Sequence, residues 1–144
     1  MLLVHATTVE VAGAGVLIRG PAGSGKSDLA LRLIDGGAQL VADDQTAIER
    51  RGDRLVAHCP PPIAGRLEVR GLGIIRLPAL SESGLALVVD LVPRERVERL
   101  PEPNYVEILG VSLPCLDLAP FEASAAAKLR LAVVSGRMDI IPPA

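Results

Sequence analysis

Tryptophan is absent from this 144-residue chain, and Tyr105 and Phe121 are its only aromatic residues. Platforms for stacking nucleic-acid bases therefore have almost nothing to draw on. Basic residues do not make up the lack: 15 Lys and Arg face 17 Asp and Glu, a formal net charge of -2. Both observations argue against a nucleic-acid partner. Cysteine is scarce as well. Cys59 and Cys115 lie far apart and form no CxxC pair, so they read as free thiols of a reducing compartment. His58 adjoins Cys59, but no further His or Cys completes a zinc-like spacing. No apolar run approaches the ~20 residues of a membrane span; even residues 85–92 are broken by Asp90. The first residues lack the basic start and longer apolar stretch of a signal peptide, since His5 and the polar Thr7 and Thr8 follow at once. The expectation is a cytoplasmic protein without a membrane partner.

What is present is aliphatic. Hydrophobic residues make up 49% of the chain, enough to build a core almost without aromatic rings. The length fits one compact domain, which typically holds roughly 100–150 residues. A single domain spanning 1–144 is expected, with no repeat, linker or long low-complexity segment.

Leu2–Val4 and residues 8–12 read as short strands, and residues 13–15 as a tight turn. Residues 15–19 form an apolar run ending at Gly20, the pattern of a buried strand. Residues 28–35 read as a helix, because Leu29 with Leu33 and Ala30 with Ile34 recur at i,i+4. Gly36-Gly37 suits its end. Gln39–Ala42 reads as the next strand. Residues 46–49 and Arg54–His58 are expected to pair about Gly52-Asp53. Pro60-Pro61-Pro62 leaves regular structure. Residues 74–77 read as a short strand and residues 85–92 as a buried one. Residues 94–100 read as a charged short helix or loop, 113–118 as extended and 123–134 as a helix, with Pro142-Pro143 ending the chain. Strand–loop–helix order makes the fold class α/β. The apparent hairpin at residues 45–58 calls for a mixed sheet with flanking helices, since hairpins join antiparallel strands.

Between the predicted strand 15–19 and the predicted helix stands Gly20-Pro21-Ala22-Gly23-Ser24-Gly25-Lys26-Ser27, a full match to G-x-x-x-x-G-K-[ST]. Glycines let backbone N–H groups turn inward around phosphate oxygens. The helix start adds the positive end of its dipole. Lys26 is placed to reach the β- and γ-phosphates, and Ser27 to bind magnesium through its hydroxyl. The strand–loop–helix setting separates this P-loop from a glycine-rich turn. It leaves open a kinase, an ATPase, a GTPase or a regulatory binder.

Asp43-Asp44 closes the strand after that helix. Aspartate is common after strands as a polar turn. Beside a P-loop, one carboxylate can hold magnesium while the other takes a proton from an attacking hydroxyl.

Four features together resemble the HPr kinase/phosphorylase family, in a short form consisting of its catalytic domain. They are His5 in Val4-His5-Ala6-Thr7, the P-loop, Ala42-Asp43-Asp44, and Leu67-Glu68-Val69-Arg70-Gly71-Leu72-Gly73-Ile74. The last is the most specific, since a P-loop is shared by many families. The resemblance weakens after about residue 92. It implies a P-loop α/β fold related to phosphoenolpyruvate carboxykinase and a hexameric assembly. The implied activity is phosphorylation of a serine of the phosphocarrier protein HPr from ATP or pyrophosphate, with removal of that phosphate by phosphorolysis. By the same resemblance Asp43 is the base of the forward reaction and the acid of the reverse one. Ser27 and Glu68 bind Mg2+, with Asp44 as the remaining carboxylate of the pair counted among the metal's ligands. Lys26 stabilises the transferred group, and His5 and Arg99 are further active-site residues.

The same residues also have plain readings: His5 as a surface histidine, Glu68 and Arg70 as one solvated strand face, Arg99 as part of a charged surface stretch, and Gly71 and Gly73 as a bend. Against the family's pattern three departures are expected: a form without the usual additional N-terminal domain, a form without the full set of C-terminal helices, and a segment 118–124 that carries neither Arg nor Gly where the family has a loop linked to dephosphorylation. A small-metabolite P-loop kinase and a non-catalytic nucleotide-sensing module are the alternatives.

Overall fold

In the computed structural model, which describes residues 1–134, 140 and 141, the chain folds as a mixed β-sheet with two helices among the described residues. The expected end at Pro142-Pro143 lies outside them. The strands are β1 (Leu2–Val4), β2 (Ala6–Val11), β3 (Ala14–Arg19), β4 (Gln39–Ala42), β5 (Thr46–Arg51), β6 (Arg54–His58), β7 (Arg66–Val69), β8 (Gly73–Arg76), β9 (Glu82–Leu91), β10 (Asn104–Ile108) and β11 (Val111–Leu118). The helices are α1 (Lys26–Asp35) and α2 (Ala125–Val134).

The sheet runs in the order β1-β5-β6-β9-β3-β2-β4. The ten-residue β9 joins its parts. Its first residues pair antiparallel with β6, its last four pair parallel with β11, and its other edge pairs parallel with β3. β10 pairs antiparallel with β11, and β7 with β8 form a separate two-stranded ribbon. β2 is antiparallel to both β3 and β4, so β4 runs parallel to β3. The carboxyl ends of β4, β3, β9 and β11 therefore share one rim, where open α/β sheets bind ligands.

Two aliphatic clusters fill the faces of the sheet. One packs Leu29 and Leu33 of α1 and Leu129 of α2 against Val16, Ile18 and Val89, all fully buried. The other lies across the sheet around Leu17, Val41, Ile48 and Val88. Alternation along β3 sends Val16 and Ile18 to one face and Leu17 to the other, as the period of a strand requires.

α1 begins at the P-loop lysine, two residues before the expected start. It ends as expected, with Gly37 left-handed at φ 109°. Gly37 N–H donates to Ile34 O and Ala38 N–H to Leu33 O, each at 3.0 Å, a Schellman closure. The next strand then begins at Gln39, returning the chain to the sheet with Asp43 at its far end. The proline run opens a 3-10 turn at Pro61–Ile63. The expected charged segment is a 3-10 turn at Arg94–Arg96 followed by loop. Sequence periodicity did not pick out β10, whose side chains are mostly exposed.

Candidate active site

The P-loop starts where β3 ends. Arg19, its last residue, lies opposite Asp90 of β9 and forms a two-pronged ion pair with it, Nε to Oδ1 at 2.7 Å and Nη2 to Oδ2 at 2.9 Å. Burial pushes the Asp90 carboxyl up, but the hydrogen bonds and charge of Arg19 outweigh it and hold it below the ordinary range. The Cys115 thiol donates to the same carboxylate at 3.4 Å and is itself pushed up to about 12, by burial first and by Asp90 second. This cross-strand pair anchors the residue that precedes Gly20.

Gly23 and Gly25 are left-handed, with φ 78° and 101°, which is where the loop needs glycine. Gly20 answers a different demand: a Cβ there would sit 2.5 Å from Ser24 Oγ. The first intrahelical bond of α1 runs from Leu29 N–H to Gly25 O at 2.9 Å. The N–H groups of Lys26, Ser27 and Asp28 precede it, the open donors of a helix start. Lys26 is buried, and its ammonium donates to Gly20 O at 2.9 Å and Pro21 O at 3.1 Å.

The two aspartates after β4 face different ways. Asp43 is 8% exposed and accepts three bonds: from Ser27 Oγ at 2.6 Å and Thr7 Oγ1 at 3.0 Å on Oδ1, and from the Glu68 N–H at 3.1 Å on Oδ2. Asp44 turns outward. Its backbone is left-handed, φ 68°, a conformation aspartate tolerates better than most residues. Its N–H donates to Thr7 Oγ1 at 3.1 Å, and its carboxylate lies 3.3 Å from His5 Nε2. That nitrogen is also 3.3 Å from Lys26 Nζ. It donates to Asp44 when it carries a proton and accepts from Lys26 when it does not.

His5, Lys26, Ser27, Asp44, Glu68 and Arg70 line one cavity of about 510 Å³, together with P-loop residues Ala22, Gly23 and Gly25. Eight of the expected site residues thus meet in this cavity, with Asp43 directly behind Ser27. Arg99 does not join them: it is exposed, lines neither this cavity nor its neighbour, and makes no side-chain hydrogen bond or ion pair among the described residues.

Sequence reading missed Thr7 and Phe121. Thr7 is fully buried and ties both aspartates to β2; a polar pair, Thr7-Thr8, inside a short strand was its only signal. Phe121 lies over the P-loop, its Cζ 2.9 Å from where a Cβ on Gly25 would be. Its signal was its rarity, as the single phenylalanine of the chain.

The family described as HPr Serine kinase C-terminal domain matches residues 1–134. The chain belongs to that family. HPr kinase/phosphorylase of Geobacillus kaustophilus is 42% identical over 127 residues, covering 80% of this chain and 41% of that protein. The enzyme of the same name from Cupriavidus metallidurans is 40% identical over 120 residues, 76% of this chain and 37% of its own length. The chain thus spans about two fifths of the length of these curated relatives. A solved structure, the Hpr(Ser) kinase/phosphatase from Coxiella burnetii, superposes with a TM-score of 0.85 at 28% identity, covering 96% of this chain and 97% of that one. Membership of the family accords with the mixed sheet and P-loop and with the acidic pair beside it. Among the described residues no helix is long and apolar enough to cross a membrane.

Proposed function

We propose that residues 1–144 form one catalytic domain that transfers a phosphoryl group from ATP or pyrophosphate to a serine of HPr, with Mg2+. The observation that carries this reading is the convergence of Lys26, Ser27, Asp44, His5 and Glu68 on one cavity at the P-loop. The names of the relatives supply the acceptor.

The donor set fits magnesium. Ser27 and Glu68 present hard oxygen atoms to the cavity, with the Asp43 carboxylate directly behind the Ser27 hydroxyl, and no group of three or more His, Cys, Asp or Glu among the described residues forms a metal cage by itself. Magnesium is commonly held by one or two carboxylates plus substrate phosphates, so a partial protein site is what it needs. Bound there, the ion neutralises charge on the phosphate oxygens.

The geometry favours exchanging the roles of the two aspartates. A general base needs a lone pair open to the attacking hydroxyl. Asp43 already accepts hydrogen bonds from the Ser27 and Thr7 hydroxyls on Oδ1 and from the Glu68 N–H on Oδ2, and the residue is buried behind the cavity. Asp44 lines the cavity with 62% of its side chain exposed. Asp44 is therefore the base that receives the serine proton, and Asp43 orients the Ser27 hydroxyl. His5 holds Asp44 in place, and Lys26 balances charge on the group in transfer. Arg99 has no part in the reaction within one chain on this reading. Hexameric assembly and a cytoplasmic setting accompany the family resemblance.

The test is transfer of labelled phosphate from ATP to HPr, run beside small metabolites and a no-acceptor control. Label on a serine of HPr supports the reading. Label on a metabolite alone, or binding without turnover, replaces it.

A further inference from the structure

The rim that carries the P-loop is divided by β3. On one side β4 delivers Asp43 and Asp44; on the other, the parallel strands β9 and β11 end in loops. A phosphate chain laid across the P-loop with its reacting end at Lys26 and Asp44 must point its other end toward β9 and β11. A second cavity lies there, of about 510 Å³, inside the roughly 300–1,000 Å³ range of small-molecule sites. Pro21 and Ser24 of the P-loop form one wall, Val92 and Pro93 after β9 another, and Pro120 and Phe121 after β11 a third. The lining is mostly carbon, with Arg94 and Glu122 as its charged members of opposite sign, and its apolar walls suit a ring.

Phe121 lines both cavities, so its ring marks the passage from the phosphate groove to the apolar one. It is 71% exposed, yet its backbone is held. Arg32 of α1 donates to the carbonyl oxygens of Pro120 and Glu122 on either side of it. Val92 N–H donates to Leu118 O at 3.0 Å, closing the ends of the two strands together. The loop thus carries an exposed aromatic ring beside the P-loop, in a chain that has almost no other aromatic residue.

We propose that this cavity takes the nucleoside of the phosphoryl donor, with its base stacked on Phe121, and that the chain therefore binds a nucleoside triphosphate in preference to an inorganic polyphosphate. The proposal rests on the P-loop reading above and deepens it. Pyrophosphate fills only the groove under Lys26 and leaves the apolar cavity unused. A nucleoside adds burial there and one aromatic stack.

Equilibrium titration with a non-hydrolysable ATP analogue and with inorganic tripolyphosphate, both with magnesium, separates the two contributions. The wild-type chain should bind the analogue more tightly. Phe121→Ala should weaken the analogue by roughly five-fold to a hundred-fold, the range of a lost base–aromatic stack, and change tripolyphosphate by no more than about two-fold. Phe121→Tyr should restore the analogue, and an unchanged melting temperature certifies the fold. Equal affinity of the two ligands for the wild type overturns the proposal, as does a Phe121→Ala loss shared by both. If neither ligand binds, the P-loop reading fails and takes the proposal with it, an outcome distinct from equal binding.

Discussion

Ser27 Oγ donates to Asp43 Oδ1 across 2.6 Å, linking the last residue of the P-loop to the first residue after β4. The bond joins the phosphate-binding element to the strand that carries the acidic pair. With Thr7 and the Glu68 N–H also on its carboxylate, Asp43 holds three hydrogen bonds, whereas Asp44 lines the cavity.

Asp44→Asn should therefore lower the rate of transfer to the acceptor by roughly 10²–10⁴-fold, the contribution of a positioned base. Binding of the magnesium–nucleotide complex should change little. Single-turnover rates and equilibrium binding on the same preparation measure both. A larger rate loss for Asp43→Asn, with metal affinity and stability intact, would return the role of base to Asp43.

Asp43→Ala should cost stability, because it leaves the fully buried Thr7 hydroxyl without its carboxylate acceptor, while Ser27 and the Glu68 N–H, at the cavity, can turn to water. A buried unsatisfied donor costs about 1–3 kcal/mol. Denaturant unfolding of Asp43→Ala and Asp44→Ala should show the loss in the first and near-wild-type stability in the second, whose side chain is mostly exposed.

The Arg19–Asp90 pair predicts acid sensitivity. The Asp90 carboxyl titrates lower in the folded chain than its ordinary value of 3.8. The stabilisation is complete above that value and is lost as pH falls through the lower, folded one. Asp90→Asn should flatten the acid limb of a stability-versus-pH curve. An unchanged acid limb would show that the pair contributes nothing there. Cys115, pushed up to about 12, and Cys59, raised by burial and by Asp43, should both resist alkylation at pH 8 in the folded chain and react once it is unfolded.

Phosphorolysis should be weak relative to the forward reaction. Holding inorganic phosphate in line with phosphoserine brings two anions together and requires cations or N–H donors to offset them. The loop after β11 places Pro120, Phe121 and Glu122 at the P-loop, and Arg32 is spent on that loop's own carbonyls. Serine phosphate and pyrophosphate followed in both directions over a range of phosphate concentrations would show it. Efficient pyrophosphate production at low phosphate would contradict it.

Much of this was legible in the sequence, for local reasons. The P-loop, the α1 periodicity and its Gly36-Gly37 stop are short-range signals, and so is the hairpin about Gly52-Asp53; each appears where expected. The split between Asp43 and Asp44 was not legible. It depends on a left-handed residue at 44 and on partners 16, 25 and 36 positions away. Arg99 was placed by resemblance in a weakly aligned stretch, and nothing local could show that it stands apart from the cavity. Phe121 and the pocket behind it arise from strands β9 and β11 meeting in parallel, a long-range pairing that no window of sequence displays.

The most direct test of the account is transfer of labelled phosphate from ATP to the serine of HPr by the wild-type chain and by Lys26→Ala. Lys26 is buried, held by the P-loop carbonyls, and placed beside His5 at the mouth of the site. Label is expected on HPr serine with the wild type, and none above background with a folded Lys26→Ala protein. Equal labelling by both proteins would remove the P-loop from the mechanism, and no labelling of HPr by the wild type would contradict the proposed function.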